Sequence, residues 1–256
     1  MDVALIPPRS LLEMVRKRPF QMAVPEALKR TRVRDFYRSL RSSYVILDNG
    51  MFESGEAIPN EFLFDLASQI NANELVMPDA KDNMEKTLEL INDFLNIYDS
   101  QSNHYNLMAT VQVHNLDEVP EYVYRVLSLM RRIGTKHITF GLPRRMTEDF
   151  GPGARIMCAR TISDVAWSRT PIHLLGLSRA GGPQGGLNEV RYLAHTVRSV
   201  DTSAPFVWAQ DGLGIGLGNP VERKEAYFNQ PKGMFHDYYL RENVRILDST
   251  AAGLHG

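Results

Sequence analysis

The sequence predicts a single α/β domain over residues 1–256, built as a (β/α)8 TIM barrel. Short apolar runs alternate along the chain with segments of helical periodicity, the pattern of a parallel sheet covered by helices. About eight such runs can be counted, which is the number of strands that closes a barrel. The length of 256 residues matches one barrel, since such domains have about 250 residues. An open doubly wound sheet shares the alternation, and only the strand count argues against it.

The predicted strands are short and apolar, without the regular polar alternation of a strand exposed on one face. They cover residues 20–24, 44–48, 74–79, 107–112, 137–141, 172–177 and 197–201, and either 205–209 or 244–248 supplies another. Helices are predicted at 83–98, 117–132, about 153–168 and about 187–197. The first has an apolar stripe at helical spacing. Asp82 precedes it and Glu85 follows three residues later, a spacing similar to a capping box.

The composition excludes several classes of protein. Cys158 is the single cysteine, so a disulfide framework and a cysteine-rich zinc site are excluded, and we expect this thiol to be buried in a helix. The seven histidines form no HxxxH or HxH pair, so we expect no metal. The glycine-rich segments 181–186 and 212–218 lack the features of phosphate-binding and dinucleotide-binding loops. We therefore expect no cofactor.

The ends and the charge of the chain bear on its location and partners. No apolar run approaches the roughly 18 residues of a membrane span, and the first ten residues do not resemble a signal peptide, so we expect a cytoplasmic protein with no membrane partner. The net charge is −1, but residues 1–41 hold ten Lys or Arg against four Asp or Glu, a net +6. This basic N-terminal segment is a candidate phosphate-backbone patch, and the alternative of solvated helix faces stays open.

Polar residues stand at the carboxyl ends of the predicted strands, where the active site of a barrel lies. They are Asp48, Asp79, Gln112, Gly141, Ser178 and Asp201. Neighbouring carboxylates raise one another's pKa, so one can carry a proton while another stays ionised. An Asp can also attack a sugar carbon while a second carboxylate handles the proton of the leaving group. Any single Asp here could instead be a helix cap, and Asn49-Gly50 is a common turn; three together favour a site.

The same strand ends resemble, in order, segments of the tRNA-guanine transglycosylase superfamily. LDNGMFE (47–53) is similar to the segment that carries its first Asp, most closely in phage-type relatives that insert 7-deazaguanines into DNA. VMPDA (76–80), ATVQVHN (109–115), ITFGLPRR (138–145), HLLGLS (173–178) and RSVDTSAP (198–205) follow in family order. Each motif is short, and the specificity comes from their order and their positions at strand ends over residues 20–210.

The resemblance implies a role for each matching residue. Asp201 would attack C1′ of the sugar to form a covalent glycosyl-enzyme, and Asp48 would be the general acid and base. Asp79, Gln112 and the Gly141 backbone would bind the edge of the base, with Asn49 and Gly50 in the adjoining turn. Phe52 and Leu175 would sandwich the base, although core packing explains Phe52 equally well. Arg144, Arg145 and Arg179 are candidate phosphate contacts, or else solvated surface charges.

One departure from the family pattern bears on whether the nucleic-acid substrate is DNA or tRNA. The tRNA enzymes of the family carry a Cys3His zinc subdomain after the nucleophile, which this chain cannot build. We therefore expect DNA as partner, with a 7-deazaguanine base such as preQ0 as second substrate, in the host cytoplasm if a phage encodes the chain. A tRNA enzyme without zinc, a non-catalytic nucleic-acid-binding subunit and an unrelated, metal-dependent barrel hydrolase remain alternatives.

Overall fold

The computed structural model contains a closed barrel of eight parallel strands, as the sequence predicts. It describes residues 1–100, 105–134, 138–166, 170–177, 186–215 and 227–253. The strands are β1 (Asp2–Leu5), β2 (Phe20–Ala23), β3 (Tyr44–Leu47), β4 (Glu74–Val76), β5 (Asn106–Thr110), β6 (Ile138–Pro143), β7 (Ile172–Leu175) and β8 (Ser199–Thr202). Each pairs with its neighbours in chain order, and β1 closes the barrel against β8 with Ala4 opposite Asp201. The barrel, rather than the open sheet, is therefore the fold.

The described helices cover the outside of the barrel. They are α1 (Leu12–Val15), α2 (Pro25–Leu28), α3 (Thr31–Arg38), α4 (Met51–Ser54), α5 (Asn60–Ile70), α6 (Met84–Ser100), α7 (Val119–Arg132), α8 (Arg145–Asp149), α9 (Ala154–Val165), α10 (Gly186–Leu193), α11 (Ala204–Gln210) and α12 (Asp237–Ala251). Short 3-10 turns occupy Arg9–Leu11, Leu116–Glu118, Tyr227–Asn229 and Lys232–Met234. The long helices bury one apolar stripe each, as α7 does with Tyr122, Val126 and Met130.

The eighth strand is not where the sequence pattern put it. Neither 205–209 nor 244–248 is a strand: the first lies in α11 and the second in α12. Pro205 sits in the first turn of α11, where its missing N–H is tolerated, and Leu240 and Leu247 give α12 the buried stripe of a helix. The missing strand is β1, at the start of the chain and just before Pro7-Pro8.

One predicted helix cap is also wrong. Asp82 does not cap α6, because its backbone is left-handed, with φ of 53°. Asn83 takes that place: its side-chain oxygen accepts the backbone N–H of Lys86 at 2.8 Å. Asp82 is thereby turned toward Arg145, with which it forms an ion pair. Cys158, by contrast, is buried in α9 as expected.

The end of the barrel at which the strands begin is closed by a polar cluster around Arg198, which directly precedes β8. Its guanidinium binds Glu74 at 2.8 Å and Thr139 at 3.1 Å. It also lies over the rings of Phe20 and Tyr44, 5.4 and 5.5 Å from their centroids. Packed side chains therefore fill this end of the barrel. In the described part of the chain, no helix combines the length and apolar character needed to cross a membrane.

Candidate active site at the carboxyl ends of the strands

A cavity of about 540 Å³ opens at the carboxyl ends of the strands, within the roughly 300–1,000 Å³ of small-molecule sites. Asp48, Asp79 and Asp201 all line it, as the positions of the strand ends predict. Its apolar wall comes from several strands and from α11, and includes Met22, Val24, Val76, Leu175, Val207 and Trp208. The site thus places three carboxylates around an apolar chamber.

The turn after β3 is held in one shape by its own side chains. Gly50 has φ of 79°, a left-handed backbone that favours glycine, and a Cβ there would meet Ile58 at 3.3 Å. The Asn49 oxygen accepts the backbone N–H of Met51 at 2.9 Å, and its amide donates to the Met77 carbonyl at 2.8 Å. This fixed turn presents Phe52, whose ring is 66% exposed at the cavity. Gly50 shapes the turn and is not among the described residues that line the cavity.

A chain of hydrogen bonds runs across one wall of the cavity. The Asp79 carboxylate accepts from Asn49 at 2.6 Å on one oxygen and from Gln112 on the other. Gln112 in turn accepts from Arg145, which also binds Asp82. The bond from Arg145 fixes the Gln112 amide with its oxygen toward the guanidinium and its nitrogen toward Asp79. Arg145, predicted as a phosphate contact, thus lies in the wall with its guanidinium engaged; phosphate binding by it stays a prediction.

Asp201 is held by two donors that reach the same oxygen. Oδ1 accepts the backbone N–H of Gly176 at 3.0 Å and lies 3.0 Å from Nε2 of His173. Neither donor reaches Oδ2. The carboxylate is therefore oriented by the protein through one oxygen, and it is only 6% exposed, at the cavity wall.

His173 belongs to this site and was not predicted from the sequence. Its Nδ1 lies 2.7 Å from the Ser199 hydroxyl, which also accepts from Arg198 at 3.2 Å. Because the Asp201 carboxylate can only accept, Nε2 of a neutral imidazole carries the proton and donates to it, and Nδ1 then accepts from the Ser199 hydroxyl. His173 is fully buried, so it acts on a ligand only through Asp201. A signal was present: residues 173 and 175 face the same side of one strand, as do residues 199 and 201.

Gly176, the second donor to Asp201, is held by a buried ion pair. Arg155 donates to the Gly176 carbonyl at 2.8 Å and pairs with Glu189, both side chains being fully buried. Gly176 has φ of 78°, a left-handed backbone in which its carbonyl faces Arg155 while its N–H faces Asp201. The Arg155–Glu189 pair therefore supports the geometry of Asp201 from outside the cavity.

Burial and mutual repulsion alter the acidity of two of the carboxyls. Burial, followed by the nearby carboxylates of Glu53, Asp201 and Asp79, raises the pKa of Asp48 well above its usual value. Burial also raises the pKa of Asp79, against the hydrogen bonds from Asn49 and Gln112 that favour its charged form. A carboxyl with a raised pKa, held beside an oriented carboxylate, can carry a proton to or from a ligand.

Some of the other predicted site residues line the cavity and some do not. Leu175 lines the cavity, and Arg144 lies at its rim over the Phe52 ring, 5.5 Å from the centroid. Gly141 lies within β6 and its carbonyl accepts from Val111 at 2.9 Å, so it does not line the cavity in the described structure. A Cβ at Gly141 would come within 2.8 Å of Leu175, so this glycine makes room for the leucine. Ser178 and Arg179 lie outside the described residues.

Within the described residues, no group of three or more His, Cys, Asp or Glu side chains is arranged to hold a metal ion. No protein-family model matches the chain, and no curated protein matches it. The chain is similar in structure to the YdjI aldolase from Escherichia coli K12, with 11% identity and a TM-score of 0.51 over 98% of this chain and 87% of that one. Methylaspartate ammonia lyase from Clostridium tetanomorphum gives 13% identity and a TM-score of 0.50 over 99% of this chain and 59% of that one. At these identities the likeness shows the barrel fold alone.

Proposed function

We propose that this chain is an enzyme that exchanges guanine in DNA for a 7-deazaguanine base, through a covalent intermediate on Asp201. The observation that carries the proposal is the set of three carboxyls in one cavity, each in a different environment. Asp201 is oriented by two donors on one oxygen, Asp48 has a raised pKa, and Asp79 is bound by two amides. Replacement of a base needs these three roles: a nucleophile, a proton carrier and a group that binds the base.

The exchange takes two balanced steps. An oxygen of the Asp201 carboxylate attacks C1′ of the deoxyribose, and the bond from C1′ to N9 of guanine breaks. The electron pair goes to the leaving base, which takes a proton from Asp48. The incoming base then gives its N9 proton to Asp48 and attacks C1′, and the bond to Asp201 breaks. The proton carrier is regenerated, and no oxidant or reductant is consumed.

The walls of the cavity suit a flat, polar-edged base. Phe52 presents an exposed ring at the entrance, where a base taken out of its stack can pack on it, with Leu175 as the apolar partner. Asp79 and Gln112 lie at one wall, where a carboxylate and an amide can bind the donors and acceptors along a purine edge. Selectivity for guanine and 7-deazaguanine is assigned to this pair.

DNA is preferred over tRNA because the chain has a single cysteine and so cannot form the cysteine-rich zinc site of the tRNA enzymes that it resembles. Modification of tRNA is the second candidate, since the chemistry at C1′ is the same for ribose and deoxyribose.

The test is mass spectrometry of nucleosides from DNA and from tRNA, each incubated with the protein and with several candidate 7-deazaguanines. The proposal predicts a 7-deazaguanine deoxynucleoside in the DNA, with release of an equal amount of guanine. The product should be absent in Asp201→Ala and kept in Arg41→Ala, a change on the far side of the barrel. Product in tRNA alone would assign the second candidate. Full activity of Asp201→Ala would contradict the mechanism, and metal-dependent hydrolysis without base exchange would contradict the function.

A further inference from the structure

A second, smaller cavity of about 200 Å³ has three basic side chains in its lining. Arg9, Lys29 and Arg30 contribute three positive charges, against one negative charge from Glu26. Its location follows from the topology: Arg9 comes after β1 and Glu26 after β2, so both stand at the carboxyl ends of the strands. We call the group Arg9, Glu26, Lys29 and Arg30 the basic rim.

The basic rim is close to the candidate active site. Ile6 and Val24, at the ends of β1 and β2, line the main cavity. Arg9 follows Ile6 by three residues, a length of chain that spans at most about 11 Å. Successive phosphates rise about 3.4 Å along the axis of duplex DNA, so phosphates adjacent to a base in the cavity fall within this distance. A strand with one base in the cavity would thus bring its neighbouring phosphates to the rim.

Acidic neighbours neutralise some of the cations in the basic N-terminal segment and not others. Arg16, Arg18 and Arg38 form ion pairs with Glu13, Asp248 and Asp35. Among the described residues, Arg9 and Arg30 have no acidic partner within ion-pair distance. The same is true of Lys17, Arg32, Arg34 and Arg41, but of these six cations only Arg9 and Arg30 line the second cavity. Arg9 is nevertheless held in place, because its Nε donates to the Phe228 carbonyl at 2.9 Å. Its terminal guanidinium nitrogens therefore lie at the rim, with no acidic partner among the residues that the structure describes.

From this geometry we infer that the basic rim binds a backbone phosphate of the nucleic-acid strand whose base enters the cavity. The inference rests on the proposed function, since it takes a nucleic acid as the ligand of the main cavity. Guanidinium groups suit this role because they donate two parallel hydrogen bonds to a phosphate. Glu26 opposes binding, because it pairs with Lys29 at 2.5 Å and reduces the positive charge of the rim.

The test is binding of a single-stranded DNA oligonucleotide at several salt concentrations, with no 7-deazaguanine present and in the Asp201→Ala background. Arg30→Ala should weaken binding several-fold and reduce the slope of log affinity against log salt by roughly 0.7 for each phosphate that the rim no longer neutralises. Glu26→Gln should tighten binding. The matched control is Arg41→Ala, which removes the same charge from an exposed site just before β3, at the opposite end of the barrel.

Equal affinities and equal salt slopes for Arg30→Ala and Arg41→Ala would overturn the inference, as would the absence of DNA binding by the Asp201→Ala parent protein. Tight binding of inorganic phosphate alone, abolished in Arg30→Ala, would assign the rim to a free phosphate and overturn the backbone assignment. The readout is separate from base exchange. If the rim variants behave as predicted while no exchange occurs, the proposed reaction fails and the binding site stands. If exchange occurs while Arg30→Ala matches Arg41→Ala, only the rim assignment fails.

Discussion

Breaking the buried ion pair of Arg155 and Glu189 is predicted to lower the free energy of unfolding strongly. Both side chains are fully buried. Arg155 donates to both carboxylate oxygens of Glu189, to the Gly176 carbonyl at 2.8 Å and to the Leu142 carbonyl at 3.3 Å. Arg155→Met leaves Glu189 as a buried charge whose remaining described donor is Thr147 at 3.4 Å. Breaking such a pair costs about 3–5 kcal/mol, which for a domain of this size lowers Tm by roughly 6–20 °C.

Thermal unfolding followed by circular dichroism measures this effect, with Arg245→Met as the matched control. Arg245 pairs with Glu242 on the surface, where its side chain is 66% exposed, and such pairs contribute about 0–1 kcal/mol. The double variant Arg155→Met/Glu189→Leu should recover part of the stability, because it removes the unpaired charge; the Leu142 and Gly176 carbonyls still lack their donor. A fall in Tm of less than about 3 °C in Arg155→Met would refute the reasoning.

Three further predictions concern the cavity. Burial raises the folded-state pKa of Asp48, so the stabilisation by its protonated form is present at low pH and is lost as pH rises through that pKa. Asp48→Asn should therefore raise Tm when Tm is measured at a pH above that pKa, and should leave Tm unchanged at acidic pH. An equal change in Tm at both pH values would contradict this prediction. Phe52→Ala should raise KM for the nucleic acid by roughly 5- to 150-fold, because stacking of the base is removed. Phe62→Ala, an exposed control on α5, should leave KM unchanged. Equal KM values for the two variants would exclude stacking on Phe52. His173→Ala should lower kcat for exchange by about 100-fold through misorientation of Asp201, with partial rescue in His173→Gln, whose amide can donate to the same oxygen; unchanged kcat would remove His173 from the site.

Most of the barrel could be predicted from the sequence because its strands are buried on both faces and so appear as short apolar runs. The strand at the start of the chain was missed because the prolines that follow Ile6 break its apolar run. The two segments taken as candidates for the eighth strand have apolar composition but belong to helices. The deciding features are a proline in the first turn of α11 and a buried stripe at helical spacing in α12.

The residues of the candidate site that lie at the ends of strands could be predicted from the sequence. Asp48, Asp79, Gln112 and Asp201 meet in one cavity because parallel strands all end on the same face of the barrel. His173 was not assigned because it lies inside a strand and its role depends on hydrogen bonds across strands, which the linear order does not display. The engagement of Arg145 by Asp82 follows from a left-handed residue before α6, again a feature of the backbone.

The covalent intermediate tests the central claim most directly. DNA should be incubated with the protein and no incoming base, quenched in denaturant, and the protein digested and analysed by mass spectrometry. The proposed function predicts a deoxyribose-linked adduct on the peptide that contains Asp201, with release of guanine, and no adduct in Asp201→Asn. Guanine released without any adduct, or an adduct that persists in Asp201→Asn, would contradict it.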